Sequence, residues 1–246
     1  SLDDIHQADT VICIGQNPGT NHPRMLSSLE TCVKNGGKIV AVNPLKEAGL
    51  MGFAHPQKIS GMLGKSTSLA SQYLQVKVNG DLALLRGLGK EFFARGAMDE
   101  KFVAKHTQGI EAYRQRCEAA DWNDITEKAG IAKEEIQKLA DTILRGKRKL
   151  VTCWAMGLTQ HRNAVATIRE ICNLHLMLGA IGRPGAGLCP VRGHSNVQGD
   201  RTMGIWESEQ AMYAFVAGEA HANAMAQAGT LSEAGRVVRW KATVAE

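Results

Sequence analysis

No two of the six cysteines, Cys13, Cys32, Cys117, Cys153, Cys172 and Cys189, stand in a Cys-x-x-Cys pair. That excludes a zinc ribbon or an iron–sulfur cradle built within this stretch of chain. Most of these cysteines sit in apolar periodic segments, which reads as reduced, buried thiols of a cytoplasmic protein. The sequence shows no signal peptide and no apolar run long enough to cross a bilayer. Charge of one sign is also scarce. The net charge is +5 on 246 residues, and the lysines and arginines are scattered rather than striped. Nucleic acid is therefore not an expected partner, while a small anionic ligand is compatible. The GxGxxG turn of ordinary nicotinamide sites is missing as well.

What remains is an ordinary globular composition, 44% apolar and 22% charged, long enough for one large α/β domain or one and a half. Its organising stretch is Thr10 to Pro23, TVICIGQNPGTNHP. Val11-Ile12-Cys13-Ile14 is β-branched and dense enough for a strand buried on both faces. Gly15 ends the run, and Asn17 to Asn21 are turn formers. A helical pattern follows, with Met25, Leu26, Leu29, Cys32 and Val33 on one face, stopped by Gly36-Gly37. Ile39 to Val42 is a second strand, ending at Asn43-Pro44. This is a βαβ unit with a polar loop at the carboxyl end of its first strand, where ligands of open parallel sheets sit. The amides of Asn17 and Asn21 and the ring of His22 suit an anionic, nucleotide-like ligand. A plain strand-to-helix turn accounts for the loop equally well.

The pattern repeats. Residues 46–71 read as a long loop with one short helix. Tyr73 to Val78 alternates as a third strand. Asn79-Gly80-Asp81 serves as turn and helix cap, with the helix running from about Leu82 to Arg95. Asp81 could cap that helix or accept hydrogen bonds from a purine edge. Residues 99–127 read as short helices anchored by Phe102, Tyr113 and Trp122, and 132–144 as an amphipathic helix. Leu150 to Ala155 is the fourth strand, followed by the loop Gly157-Leu158-Thr159-Gln160-His161. The helix from Arg162 to Leu178 is apolar on most of its circumference, which predicts deep burial. Four glycines between Gly179 and Gly187 imply close backbone approach or positive φ. The polar run Arg192 to Asp200 is rich in donors suited to phosphate and ring-edge contacts.

Taken together, IGQNPGTNHP, VNPLK, NGDLALLRGL, WAMGLTQHRNAV and NLHLMLGAIGRPGAGLCPVRGHSNVQGDRTMG resemble the large subunit of bacterial molybdopterin oxidoreductases. The resemblance is to the formate-dehydrogenase-like group that includes the acid-resistance type, and it covers about residues 1–206. It implies an internal fragment of a longer enzyme with a three-layer α/β/α Rossmann-like parallel sheet over residues 1–190. Residues 191–246 would begin a second α/β domain, with the tail beyond 206 unassigned. It implies two molybdopterin guanine dinucleotides on one molybdenum or tungsten. Any iron–sulfur cluster would belong to a preceding N-terminal region of the parent.

Carried onto this sequence, Gly15, Asn17 and His22 would lie against the nucleotide. Asn43 and Pro44 would lie near the ribose, and Asp81 would read the guanine edge. Gly157, Gln160 and His161 would approach the pterin, as would Asn196, Gln198 and Gly199. Arg192 would meet the metal and a small anionic substrate, with His194 beside it in a place where formate dehydrogenases have glutamine. The Asn79-Gly80-Asp81 turn is one residue shorter than the family's. The electron-transfer partner is open. By this reading the fragment alone is inactive. The competing expectation is a non-catalytic nucleotide-binding α/β module.

Overall fold

The computed structural model describes residues 2–55, 57 and 66–191. Five parallel strands form the central sheet: β1 (Thr10–Ile14), β2 (Lys38–Val42), β5 (Ala70–Leu74), β6 (Leu150–Trp154) and β7 (Gly187–Pro190), in the order β5-β2-β1-β6-β7. Residues β3 (Gly52–Phe53) and β4 (Thr67–Ser68) make a separate antiparallel pair. Every residue of β1 and β6 is buried. Their β-branched runs are thus the middle of the sheet, with both faces covered.

Alternation along the strands sorts the core into two layers. Ile12, Ile14, Val40, Val42, Leu74, Leu150 and Trp154 pack against α5 (Asp81–Ala94), α9 (Lys133–Leu144) and α11 (Ala164–Met177). Val11, Cys13, Ile39, Ala41, Val151 and Cys153 pack against α1 (Leu2–Gln7), α3 (Pro23–Lys34) and α4 (Ala48–Met51). Between α5 and α9 come α6 (Glu100–His106), α7 (Ile110–Ala119) and α8 (Trp122–Ala129). The expected three-layer α/β/α sheet is therefore present.

Three local expectations are corrected. The third strand is Ala70–Leu74, not Tyr73–Val78. Its partner β2 runs out at Val42, opposite Leu74, and Pro44 has no N–H to extend the ladder. Val78 is 72% exposed, so the alternation past Leu74 is not a strand. The second correction is α11, whose Val165 is 70% exposed and whose Ile168, Cys172 and Leu176 are only half-buried. Its inward face mixes apolar Ile171, Leu174 and Met177 with polar Thr167, Glu170 and His175. The third is β7, for which the sequence predicts no strand: the glycine-rich stretch 179–187 ends on its first residue. Only Leu188 and Cys189 are apolar there, too few to show a period.

His175 explains part of that polar content. Its Nδ1 lies 2.8 Å from the Ala180 carbonyl and its Nε2 lies 2.8 Å from Thr152 Oγ1 on β6. The carbonyl can only accept, so Nδ1 carries the proton and Nε2 accepts from the Thr152 hydroxyl. Burial lowers the His175 pKa to about 4. Between that value and its ordinary value near 6.5, the unfolded chain takes up a proton that the folded chain refuses. Stability is therefore intact above pH 6.5 and lost as pH falls toward 4, on the order of 3 kcal/mol from this group. Urea unfolding of wild type and His175→Gln across pH 7 to 4.5 checks this. The variant is expected to lose stability less steeply, and parallel curves would refute the assignment.

Candidate functional site

The strand order places β1 between β2 and β6. The chain leaves β1 toward β2 and β5, then returns to β6 on the other side. At the carboxyl ends of β1 and β6 the loops therefore part, and a crevice opens where α/β sheets bind ligands. A cleft of about 280 Å³ occupies this point, lined by Gly15, Gln16, Asn17, Asn21, Asn43, Pro44, Glu47, Asp81, Gly157 and His161.

Its floor is backbone. Gly157 N–H donates to Gly15 O at 3.0 Å, and Gly15 N–H donates to Val42 O at 3.0 Å. Gly15 has φ +58°, and a Cβ there would meet Leu158 Cδ1 at 2.3 Å and the Gly157 carbonyl carbon at 2.9 Å. Only glycine fits, both for the left-handed backbone and for the close approach.

Its walls are side chains held by one another. Asn17 caps the short helix α2 (Pro18–Asn21) by accepting from Thr20 N–H. The same amide donates from Nδ2 to Glu47 Oε2 at 2.6 Å. Glu47 is set in place by Tyr73 of β5: the Tyr73 hydroxyl accepts from Glu47 N–H at 2.9 Å and donates to Leu45 O at 2.5 Å. Asn43, buried, donates from Nδ2 to Gln16 O at 2.7 Å and so ties the end of β2 to the loop after β1. Gln16 is 2% exposed; its Nε2 has only the Met25 thioether at 3.0 Å, and its Oε1 has no hydrogen-bond partner among the described residues. A buried amide left so poorly matched is costly unless something else satisfies it.

Asp81 comes from the far side of the sheet. The cap of α5 is Gly80, so Asp81 is the first helical residue rather than the cap. It is buried, and desolvation pushes its carboxyl above the usual carboxylate range. Its own backbone amide and His161 act in the opposite direction. The helix start steadies a negative charge here, but burial outweighs it. A buried carboxylate whose pKa is raised in a cleft is a group set aside for a ligand more often than for packing.

Of the expected site residues, Gly15, Asn17, Asn43, Pro44, Asp81, Gly157 and His161 converge on this cleft. His22 sits between α2 and α3 (C-cap of one, N-cap of the other), and Gln160 is exposed beside Met156; neither is among the lining residues. Arg192, His194, Asn196, Gln198 and Gly199 lie outside the described residues. Gln16 and Glu47 were not singled out from sequence. Gln16 stood inside a turn as apparent filler. Glu47 belongs to a loop thirty residues away, and the hydroxyl that seats it is on a third strand. Among the described residues, no group of three His, Cys, Asp or Glu side chains is placed to hold a metal ion, and no helix is long and apolar enough to cross a membrane.

The chain is 48% identical over 84% of its length to an uncharacterized oxidoreductase of Mycobacterium tuberculosis. It is 44% identical over 89% of its length to the protein YdeP of Escherichia coli. Formate dehydrogenase H of Escherichia coli is 28% identical over 93% of the chain. The chain spans only 27%, 30% and 29% of these three relatives. Among solved structures, acetylene hydratase from Pelobacter acetylenicus matches with a TM-score of 0.60 at 19% identity, over 75% of this chain and 25% of that one, a likeness of fold. The family model of molybdopterin oxidoreductases matches residues 1–239. With that match over nearly the whole chain, and a parallel sheet whose switch-point cleft gathers the expected residues, the chain belongs to the molybdopterin oxidoreductase family.

Proposed function

We propose that this chain is the dinucleotide-binding part of a longer molybdenum or tungsten oxidoreductase, and that its cleft takes the guanosine end of a molybdopterin guanine dinucleotide. The observation that carries this is the meeting of Asp81, Asn43, Asn17, Glu47 and Gln16 in one small cleft at the strand ends. Two carboxylates and three amides suit a nucleoside better than a phosphate. They accept from ring N–H and ribose O–H groups, and the carboxylates repel phosphate at close range. The unmatched Gln16 Oε1 fits the same group, since a bound nucleoside supplies the missing donor.

The metal–pterin group, when bound, supplies the two-electron chemistry. The chain's own residues bind and orient. Asp81 accepts from the N1–H and N2–H₂ edge of guanine. Asn43, Pro44 and Glu47 border the ribose. Gly15 and Gly157 bring bare backbone to the dinucleotide, with His161 and Gln160 on the pterin side. Residues 1–190 serve as this domain and 191–246 begin the next, where Asn196, Gln198 and Gly199 are further pterin contacts. Two dinucleotides would share one metal, and any iron–sulfur cluster would sit in the preceding part of the parent. Arg192 and His194 would face a small anionic substrate: Arg192 neutralises its charge, and His194 hydrogen-bonds it or moves a proton.

Calorimetric titration of the chain with GDP and ADP tests the cleft assignment. GDP is expected to bind at least tenfold more tightly, and equal affinities would overturn it. The substrate assignment needs the full-length parent. There Arg192→Lys keeps the charge but loses the planar fork. Turnover is expected to fall by about a hundredfold, the scale of losing one positioned donor to transition-state charge, with metal and pterin content unchanged. Loss of the cofactor itself would make Arg192 a dinucleotide ligand instead.

A further inference from the structure

Strands β1, β6 and β7 lie side by side, and their register sets Cys13 opposite Cys153 and Cys153 opposite Cys189. Residues paired across a sheet point to the same face, so three thiols stand in line. The row lies on the α1–α3 side of the sheet, one residue before β1, β6 and β7 end. It grades outward: Cys13 and Cys153 are fully buried, while Cys189, on the last strand of the sheet, is half-buried. All are free thiols. Hydrogen bonding with Cys153 pulls the Cys189 thiol below its ordinary value against the effect of burial. Bonding with Cys13 and Cys189, and then burial, pushes Cys153 well up. Burial disfavours a charge on the inner two thiols, so the half-buried outer end is where the row best carries one.

The cleft makes no use of these thiols, and their straight row is not a metal cradle. We propose that Cys189 is an oxidation site for peroxides, and that Cys153 is the thiol that resolves it. The Cys189 thiolate attacks one peroxide oxygen. An S–O bond forms, the O–O bond breaks, and the other oxygen leaves as hydroxide or alkoxide and takes a proton from water. Sulfur is oxidised to the sulfenic acid by two electrons and the peroxide is reduced. The Cys153 sulfur then attacks Cys189. An S–S bond forms, the S–O bond breaks, and the hydroxyl leaves as water with the Cys153 proton. The net change is two thiols and one peroxide to one disulfide, one water and one alcohol or second water.

The spacing permits the bond. Neighbouring strands lie about 4.8 Å apart, inside the Cα range of roughly 4.4–6.8 Å that disulfides span. Cβ atoms that stand parallel are farther apart than a relaxed disulfide prefers. The bond is therefore strained and easily reduced, the character of reversible rather than structural disulfides. Cys13 is two strands from Cys189, at about twice that spacing, and cannot resolve it directly.

The test treats the reduced 246-residue chain with hydrogen peroxide at pH 7 and maps its thiols by peptide mass spectrometry. A Cys153–Cys189 cross-link, two hydrogens lighter and reversed by dithiothreitol, is expected. Cys153→Ser should stop the reaction at a sulfenic acid on Cys189 that dimedone traps, and Cys189→Ser should abolish the cross-link. Cys172 is an internal control, half-buried with burial raising its pKa and no thiol lowering it. Because Cys153 is buried and its serine variant could fail to fold, the wild-type rates decide independently. Iodoacetamide should alkylate Cys189 at least tenfold faster than Cys172. Equal rates, or peroxide oxidation that begins at Cys172 and leaves Cys189 a thiol, would overturn the proposal.

Discussion

Replacing Gly15 by alanine is expected to lower the stability of the chain by on the order of 4 kcal/mol. Two effects add. A non-glycine residue at φ +58° carries backbone strain, and the added Cβ meets Leu158 Cδ1 at 2.3 Å and the Gly157 backbone at 2.9 Å. Leu158 is buried, so its side chain has little room to yield. The two terms can be separated within this molecule. Gly96 has φ +59° with nothing within 4 Å of its would-be Cβ. Gly96→Ala therefore meets the backbone strain alone, about 1–2 kcal/mol. Urea denaturation of both variants reads the difference. Equal losses would show that the Gly15–Gly157 contact is not a constraint, and the close approach at the crevice floor would be wrong.

That contact also marks how far sequence reasoning reaches. Gly15 and Gly157 were each legible as a loop glycine after an apolar run, but nothing in the sequence pairs them. The pairing comes from the strand order, which sets β6 beside β1 across 135 residues of chain. Strands buried on both faces read well, because β1, β2 and β6 have no polar side to confuse the period. The edges read poorly. Ala70–Leu74 begins with Ala-Ser-Gln, and its place is set by pairing to β2 and by Ser71 Oγ donating to Ile39 O rather than by hydrophobicity. Helix α11 misled in the other direction: its apolar count predicted burial all round, yet Thr167, Glu170 and His175 share its inward positions with Ile171, Leu174 and Met177 while Val165 faces out. Composition says how apolar a helix is, while facing is decided by what the sheet presents, here the Thr152 hydroxyl. In the cleft, residues at strand ends were legible from their position alone. Gln16 and Glu47 were not, because each acquires its role from a partner distant in sequence or from a mismatch visible only in three dimensions.

Asp81→Asn carries the other large effect, and it separates a ligand-reading carboxylate from a helix-start carboxylate. If Asp81 merely complements the α5 dipole, the substitution removes about 0.3–1 kcal/mol of stability and leaves nucleotide binding alone. If it reads guanine, the two readouts move apart. The buried carboxylate is penalised by desolvation in the free protein, so a neutral amide of the same shape should leave stability unchanged or raise it. Binding moves the opposite way. Guanine offers two adjacent donors, and asparagine accepts one while setting its own NH₂ against the other. Each charge-assisted bond lost is worth roughly 1.5–3 kcal/mol, so GDP affinity should fall at least a hundredfold. ADP, which has no such donor pair, should change little. The pH dependence carries a sign of its own. Burial holds the Asp81 pKa above the ordinary value, so GDP affinity of wild type should weaken as pH falls through that raised value and the carboxylate is protonated. The variant lacks this carboxylate and should show a shallower profile. A variant that loses stability, keeps its preference for GDP and retains the wild-type pH profile would return Asp81 to the helix start.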